Sequence, residues 1–366
     1  MTTMTMLTTL TAVTAVREVA VVSSAVHQVE ALTFTTDVQL MVPLINEARG
    51  AVGLTQADIG FTCSGSSDFL AGQGFSFVQT LDAVGAFPPI SESHVEMDGA
   101  FALYEAWVKL QVGEVDTALV YSYGKSSPGS RRDVLAVQLD PYTVAPLWPD
   151  AHAVAALQTR LLLESGAVSS EGLAEIAVRS QHHAVGNPNA LRASAEATVA
   201  GVMAEPVVAD PLRPSDIAAE ADGGCVVVLA AGDRARSLSD RPAWIRGIDH
   251  RIDAHALGVR DLTRAPSAAL AAARAGAGDD RLDIVELHGP TTSQEHILAS
   301  ELGLDADTLV NPSGGALAAD TLMAAGLVRI AEAARRISSG DADRALAHAT
   351  SGPCLQQNLV CVMEGE

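Results

Sequence analysis

"DGAFALYEAWVKLQVGEVDTALVYSYG", residues 98–124, starts on an acid, runs apolar on most of its faces, stops at Gly113 and resumes after Asp116 as a stretch of strand length. A helix that is apolar nearly all round packs protein on every side. A glycine just past its end is the usual left-handed terminator. The same order recurs in "MAAGLVRIAEAARRISSGDADRALAHAT", residues 323–350, where a helix is followed by Gly340, Asp343 and an apolar strand. Gly113 and Gly340 lie 227 residues apart, as do Asp116 and Asp343. Counting back by the same interval pairs Gly99 with Gly326 and Glu96 with Met323. The interval predicts an internal duplication, with one buried helix and its following strand in each half.

The segments around these two units fit that reading. "REVAVVSSAV" (17–26) has strand length and pattern, and "QLMVPLINEARGAVG" (39–53) has helical spacing before a glycine stop. Proline, glycine and serine punctuate 126–150, and helical segments then continue to about residue 200, which reads as an inserted excursion. "AEADGGCVVVLAAGDRA" (219–235) returns to a buried strand, and "RPAWIRGIDHR" (241–251) opens the second half with another. The expected organisation is an arm over 1–16, a first half over 17–125 and 216–240, an inserted loop domain over 126–215, and a second half over 241–366.

The chain of 366 residues is 48% hydrophobic but only 4% aromatic, so small aliphatic side chains do the filling, as suits helices pressed closely on a sheet. Its net charge of −21 repels phosphate backbones and anionic lipid, which argues against nucleic acid as a partner. The opening "MTTMTMLTTLTAVTAV" has neither the basic flank of a signal peptide nor the apolar length of a membrane span, and a cytoplasmic location is expected. The four cysteines have no metal-ligand spacing, and the paired histidines of "QHHAVGNPNA" (181–190) have no third ligand at a zinc-like distance. A dinucleotide or Walker-type glycine loop is not found.

Five segments, "DGAFALYEAWVKLQVGEVDTALV", "ADGGCVVVLAAGDRAR", "DIVELHGPTTSQE", "NPSGGALAAD" and "SGPCLQQNLVCVMEGE", follow one another in an order and spacing that resembles the thiolase superfamily. The likeness is to the sterol carrier protein X type thiolases and their actinobacterial lipid-transfer-protein relatives, the thiolase-like aldolase branch. It implies an α/β thiolase fold of five layers, αβαβα, with two pseudo-duplicated halves and an inserted loop domain.

The resemblance also implies a nucleophilic cysteine at the start of the first buried helix and a histidine in the glycine-rich stretch near 320. The family's Cys-x-x-Gly falls on Glu96, Met97, Asp98 and Gly99, and the histidine position falls on Thr321. Threonine is no base near neutral pH. A second family cysteine falls on Ser351 or Gly352, with Cys354 just beyond, as a candidate thiol or a buried structural one.

His288, in "ELH", matches a histidine that enters the site in the sterol carrier protein X type enzymes, and is either a proton carrier or a strand-end histidine. His348 is the second candidate. Glu96 and Asp98 are either proton carriers or charges favoured by a helix N-terminus.

The implied activity is carbon–carbon bond making or breaking next to a coenzyme A thioester without a cysteine intermediate, retro-aldol cleavage of steroid-type acyl-CoA or an acyl transfer. The alternative is a non-catalytic subunit. Coenzyme A thioester is expected as substrate, with no covalently bound cofactor and no metal. The implied partners are a second copy, paired through the first half, and an OB-fold and zinc-ribbon subunit or a second thiolase-like chain.

Overall fold

The computed structural model describes residues 16–305 and 307–366. The arm expected over 1–16 therefore lies, apart from Val16, outside the described residues. The strands are β1 (Val19–Val29), β2 (Phe61–Gly65), β3 (Glu92–Val95), β4 (Thr117–Gly124), β5 (Glu220–Ala231), β6 (Ala243–Ile252), β7 (Ile284–Glu286), β8 (Leu309–Val310), β9 (Asp320–Thr321), β10 (Arg344–Ser351) and β11 (Gln357–Glu364). Eight helices matter for the site: α1 (Asp37–Ala51), α2 (Gly99–Gln111), α3 (Arg131–Val137), α4 (Ala151–Glu164), α5 (Ser170–His183), α6 (Pro266–Arg274), α7 (Thr292–Glu301) and α8 (Ala325–Ser339).

The strand order is β3-β2-β4-β5-β1 in the first half and β8-β7-β10-β11-β6 in the second. In each half the first three strands run parallel, and the next two pairings are antiparallel. The two orders match when β1, β2, β3, β4 and β5 are laid on β6, β7, β8, β10 and β11. β4 begins at residue 117 and β10 at 344, a difference of 344 − 117 = 227, and both strands hold eight residues. The sheets join where β1 meets β6 antiparallel, Ala20 opposite Trp244 and Val21 opposite Ala243.

Alternation along the strands sorts side chains into layers. Val120, Val227, Ala347 and Cys361 point to a central layer that also holds Leu103 and Leu110 of α2 and Leu327, Ile330 and Ile337 of α8. On the outer face of the first sheet, Leu119, Val226 and Val228 pack against Leu40, Leu44 and Ile45 of α1. On the outer face of the second, Leu346, Val360 and Val362 pack against Ala268, Ala271 and Ala272 of α6 and Ile297 and Leu298 of α7. The layers are thus helix, sheet, buried helices, sheet, helix. Each fully buried aliphatic side chain contributes roughly 1.5–3 kcal/mol. Between β4 and β5 the chain runs through helices α3, α4 and α5, and we propose that 126–215 forms the inserted loop domain.

The two central helices start in equivalent ways. Gly99 opens α2 against Ser122 of β4, and Gly326 lies 227 positions later near Ala349 of β10. A Cβ on Gly99 would lie 2.7 Å from the Ser122 Cβ and 2.8 Å from Leu327 Cδ2, while one on Gly326 would lie 2.6 Å from Asp98 Oδ1. Side chains are excluded where the helix tips enter the sheets. Gly99→Ala is expected to cost about 1–3 kcal/mol from overpacking, read as a lowered urea midpoint with unchanged slope. An unchanged midpoint would mean that the tips have room to separate.

Candidate functional site

Asp98, the residue before α2, holds the two central helices together. Its Oδ1 accepts from the N–H groups of Ala100 (2.9 Å) and Leu327 (3.0 Å), and its Oδ2 accepts from Gly326 N–H (2.9 Å). Gly99 N–H in turn donates to the Met323 carbonyl at 2.9 Å. One side chain therefore serves unpaired N–H groups at both helix N-termini. Burial pushes the Asp98 carboxyl above its ordinary range, opposed by nearby His288 and by these three N–H donors.

Above Asp98 lies a cavity of about 220 Å³. Its lining includes Asp98, His288, Asp320 and Thr350, and the helices between β4 and β5 add Arg131, Leu135, Val154 and Ala155. His288 follows β7, and Asp320 sits on β9, the two-residue strand that pairs with the start of β5. His288 Nε2 lies 3.3 Å from Asp320 Oδ1, and Thr350 N–H donates to His288 Nδ1 at 3.3 Å. Since Nδ1 accepts, the proton of the neutral ring belongs on Nε2, facing the carboxylate.

Arg131 of α3 completes the array. It pairs with the Asp320 carboxylate through Nη2, donates from Nη1 to the Asp320 carbonyl at 3.2 Å, and has Glu220 Oε1 3.8 Å from its Nε. Burial alone would raise the Asp320 carboxyl, but the Arg131 guanidinium and His288 outweigh it and hold that group well below the usual carboxylate range. The Asp320 carboxylate thus faces the ring edge that carries the Nε2 proton.

The structure separates the residues singled out from the sequence. His288 and Asp98 both line the cavity. Cys354 also does, but its thiol is pushed up to about 11 by burial, partly offset by Arg260, and it packs with Leu139 and Val154. A thiol in that state is a poor nucleophile.

Glu96 is not among the cavity residues. It lies in the exposed turn after β3, where its Oε1 accepts from Asp68 N–H at 2.6 Å and its Oε2 lies 3.5 Å from His94 Nε2. Thr321 is buried outside the cavity, where its Oγ1 accepts from Gln28 Nε2 at 3.0 Å. His348 is buried on the outer face of its sheet and donates from Nε2 to Asn358 Oδ1 at 3.0 Å. Asn358 is oriented by its own donations to Ser267 Oγ (2.6 Å) and the Leu355 carbonyl (2.8 Å).

Arg131 and Asp320 were not singled out from the sequence. Asp320 neighbours Thr321, and on a strand adjacent residues face opposite sides, so only the pairing register determines which of them enters the cavity.

With this geometry in place, the chain can be compared with known proteins. No family model matches it. The acetyl-CoA acetyltransferase of Methanothermobacter thermautotrophicus is 31% identical over 210 residues, which are 50% of this chain and 53% of that protein. The match spans only about half the length of that relative. Among solved structures, an Ltp2-ChsH2(DUF35) aldolase superposes with a TM-score of 0.79 at 19% identity, covering 95% of this chain and 98% of its own. The Bacillus anthracis acetyl-CoA acetyltransferase gives 0.79 at 16% identity over 96% and 100%. The human mitochondrial 3-ketoacyl-CoA thiolase gives 0.77 at 17% identity over 95% and 98%. The chain is a thiolase-fold protein, as its two matched halves and five layers require.

Two substitutions test the energetics of these buried polar groups. Asp98→Asn places an amide donor against a helix N–H and leaves at least one buried donor unpaired, so a loss on the order of 2–3 kcal/mol is expected in urea denaturation at pH 7. Stability unaltered within error would show that the helix tips do not depend on this side chain.

His348 supplies a pH dependence. Burial lowers its pKa to about 3, and Asn358 opposes that shift. The unfolded imidazole takes up a proton below about 6.5, whereas the folded one stays neutral down to about 3, so acid favours unfolding across that window. Between pH 6.5 and 5 the loss is about 1.5 pH units at roughly 1.4 kcal/mol each, or about 2 kcal/mol. His348→Gln is expected to remove that component, read as the difference between variant and wild type at the two pH values. Parallel pH profiles would contradict a neutral buried imidazole.

Proposed function

We propose that the chain is a thiolase-type acyl-CoA enzyme that makes or breaks a carbon–carbon bond beside a thioester without an acyl-cysteine intermediate. Retro-aldol cleavage of a β-hydroxyacyl-CoA of steroid type is the favoured reaction. The observation that carries this reading is the His288–Asp320–Arg131 array in a cavity whose helix N-termini already hold a carboxyl group. The aldolase and acyltransferase neighbours support the superfamily's chemistry in general terms.

In a retro-aldol step the β-hydroxyl gives up its proton as the Cα–Cβ bond breaks. A carbonyl compound leaves, and a thioester enolate remains, to be protonated at Cα. His288 is suited to both transfers. Its Nδ1 takes the hydroxyl proton once the substrate displaces the 3.3 Å contact from Thr350 N–H, and Asp320 stabilises the resulting imidazolium. The same proton then goes to Cα. General acid–base catalysis of this kind contributes about 10²–10⁴-fold.

A second reading, a non-catalytic subunit, is favoured by one observation. Both ring nitrogens of His288 face groups of the protein itself, as do both oxygens of Asp98. In either reading the proposed partners are a second copy joined through the first half and a second, different subunit of OB-fold and zinc-ribbon or thiolase-like type. A hetero-complex is suggested by the neighbour described as an Ltp2-ChsH2(DUF35) aldolase.

The test is cleavage of β-hydroxyacyl-CoA, followed by release of the shortened acyl-CoA, with wild type and His288→Ala. Cleavage by wild type and a fall in kcat of about 10²–10⁴-fold in the variant, with the melting temperature within a few degrees, is the expected result. A wild type that is inactive both alone and with its partner would favour the subunit reading, and equal rates in both proteins would remove His288 from the chemistry.

A further inference from the structure

Gln294, in the first turn of α7, lines the cavity and is 6% exposed. Its amide has one possible orientation. Gln158 of α4 donates from Nε2 to the Leu262 carbonyl at 2.9 Å, so its Oε1 is left to accept, and Gln294 Nε2 donates to it at 2.9 Å. That chain of donors leaves Gln294 Oε1 as an acceptor, and this buried oxygen has no hydrogen-bond partner. Buried acceptors in folded proteins are nearly always paired. An orphan held in place by a second glutamine, itself fully buried, is a waiting half of a hydrogen bond.

The first turn of α7 is also pressed against the strand end that carries His288. A Cβ on Gly289 would stand 2.9 Å from the backbone N of Glu295. The orphan acceptor and the imidazole therefore belong to neighbouring stretches of one cavity wall.

We propose that Gln294 Oε1 is the specificity-determining acceptor for a hydroxyl donor on the acyl chain, so that the site selects hydroxyacyl thioesters over saturated and keto ones. The inference rests on the acyl-CoA reading above and names the feature of the acyl group that is recognised. A ketone offers no proton to this oxygen, and a saturated chain leaves it unpaired. A site built around such a group discriminates against the analogue that lacks it.

The experiment is calorimetric titration of matched 3-hydroxyacyl-, 3-ketoacyl- and saturated acyl-CoA into wild type, Gln294→Met and Gln158→Met, with melting curves to confirm folding. Wild type is expected to prefer the hydroxy form by about tenfold, the scale of one neutral hydrogen bond. Gln294→Met is expected to lose that preference while binding the saturated thioester as before. Gln158→Met frees the Gln294 amide to turn its N–H₂ toward the ligand, and is expected to narrow the gap between hydroxy and keto forms.

Binding of all three thioesters without a hydroxyl preference would overturn this inference and leave the acyl-CoA reading intact. Equal weakening of all three by Gln294→Met would overturn it too, assigning the oxygen to an N–H of the pantetheine arm or to packing. No binding of any thioester by folded wild type would overturn both.

Discussion

One carboxyl group holds the N-termini of two buried helices that come from opposite halves of the chain. Asp98 accepts N–H groups from Ala100 in the first half and from Gly326 and Leu327 in the second. A helix N-terminus concentrates partial positive charge, and two such ends meeting head-on would repel each other without an acceptor between them. Gly99 and Gly326 allow the tips to come close, and Asp98 makes the approach favourable. Both sheets and the central layer pack around that junction.

The chemistry of the cavity follows from how those helix ends are occupied. A thiol at such a point would be shifted toward the thiolate by the same N–H groups and dipoles. Here a carboxyl group takes them, and the cysteine nearest the cavity, Cys354, is held as a neutral thiol by burial. Charge is instead organised beside them, where Arg131 of α3 pairs with Asp320 and Asp320 faces His288. The segment between β4 and β5 thus lines the cavity and also fixes the carboxylate that faces the imidazole.

The architecture was readable in the sequence because it repeats. A buried helix, a glycine and a strand recur at an interval of 227 residues, and β4 and β10 begin that far apart. His288 was singled out through the likeness of its "ELH" motif to the sterol carrier protein X type thiolases, and it lines the cavity. The rest of the site depends on directions that composition does not record. Glu96 and Asp98 are two residues apart in the same turn, yet one faces solvent and the other both helix ends. Thr321 and Asp320 differ by a single step on a strand, which reverses the side each one faces. Arg131 reaches Asp320 across 189 positions of sequence, from a segment with no periodic signature.

The central claim is that the helix-end site of this thiolase-fold chain forms no covalent acyl intermediate. Intact-protein mass spectrometry after incubation with excess acyl-CoA, quenched in acid within one turnover, tests it directly. The account predicts an unmodified mass under conditions where acyl-CoA is bound. A stoichiometric acyl adduct, removed by hydroxylamine and mapped to Cys354 or any other side chain of the cavity, would contradict it.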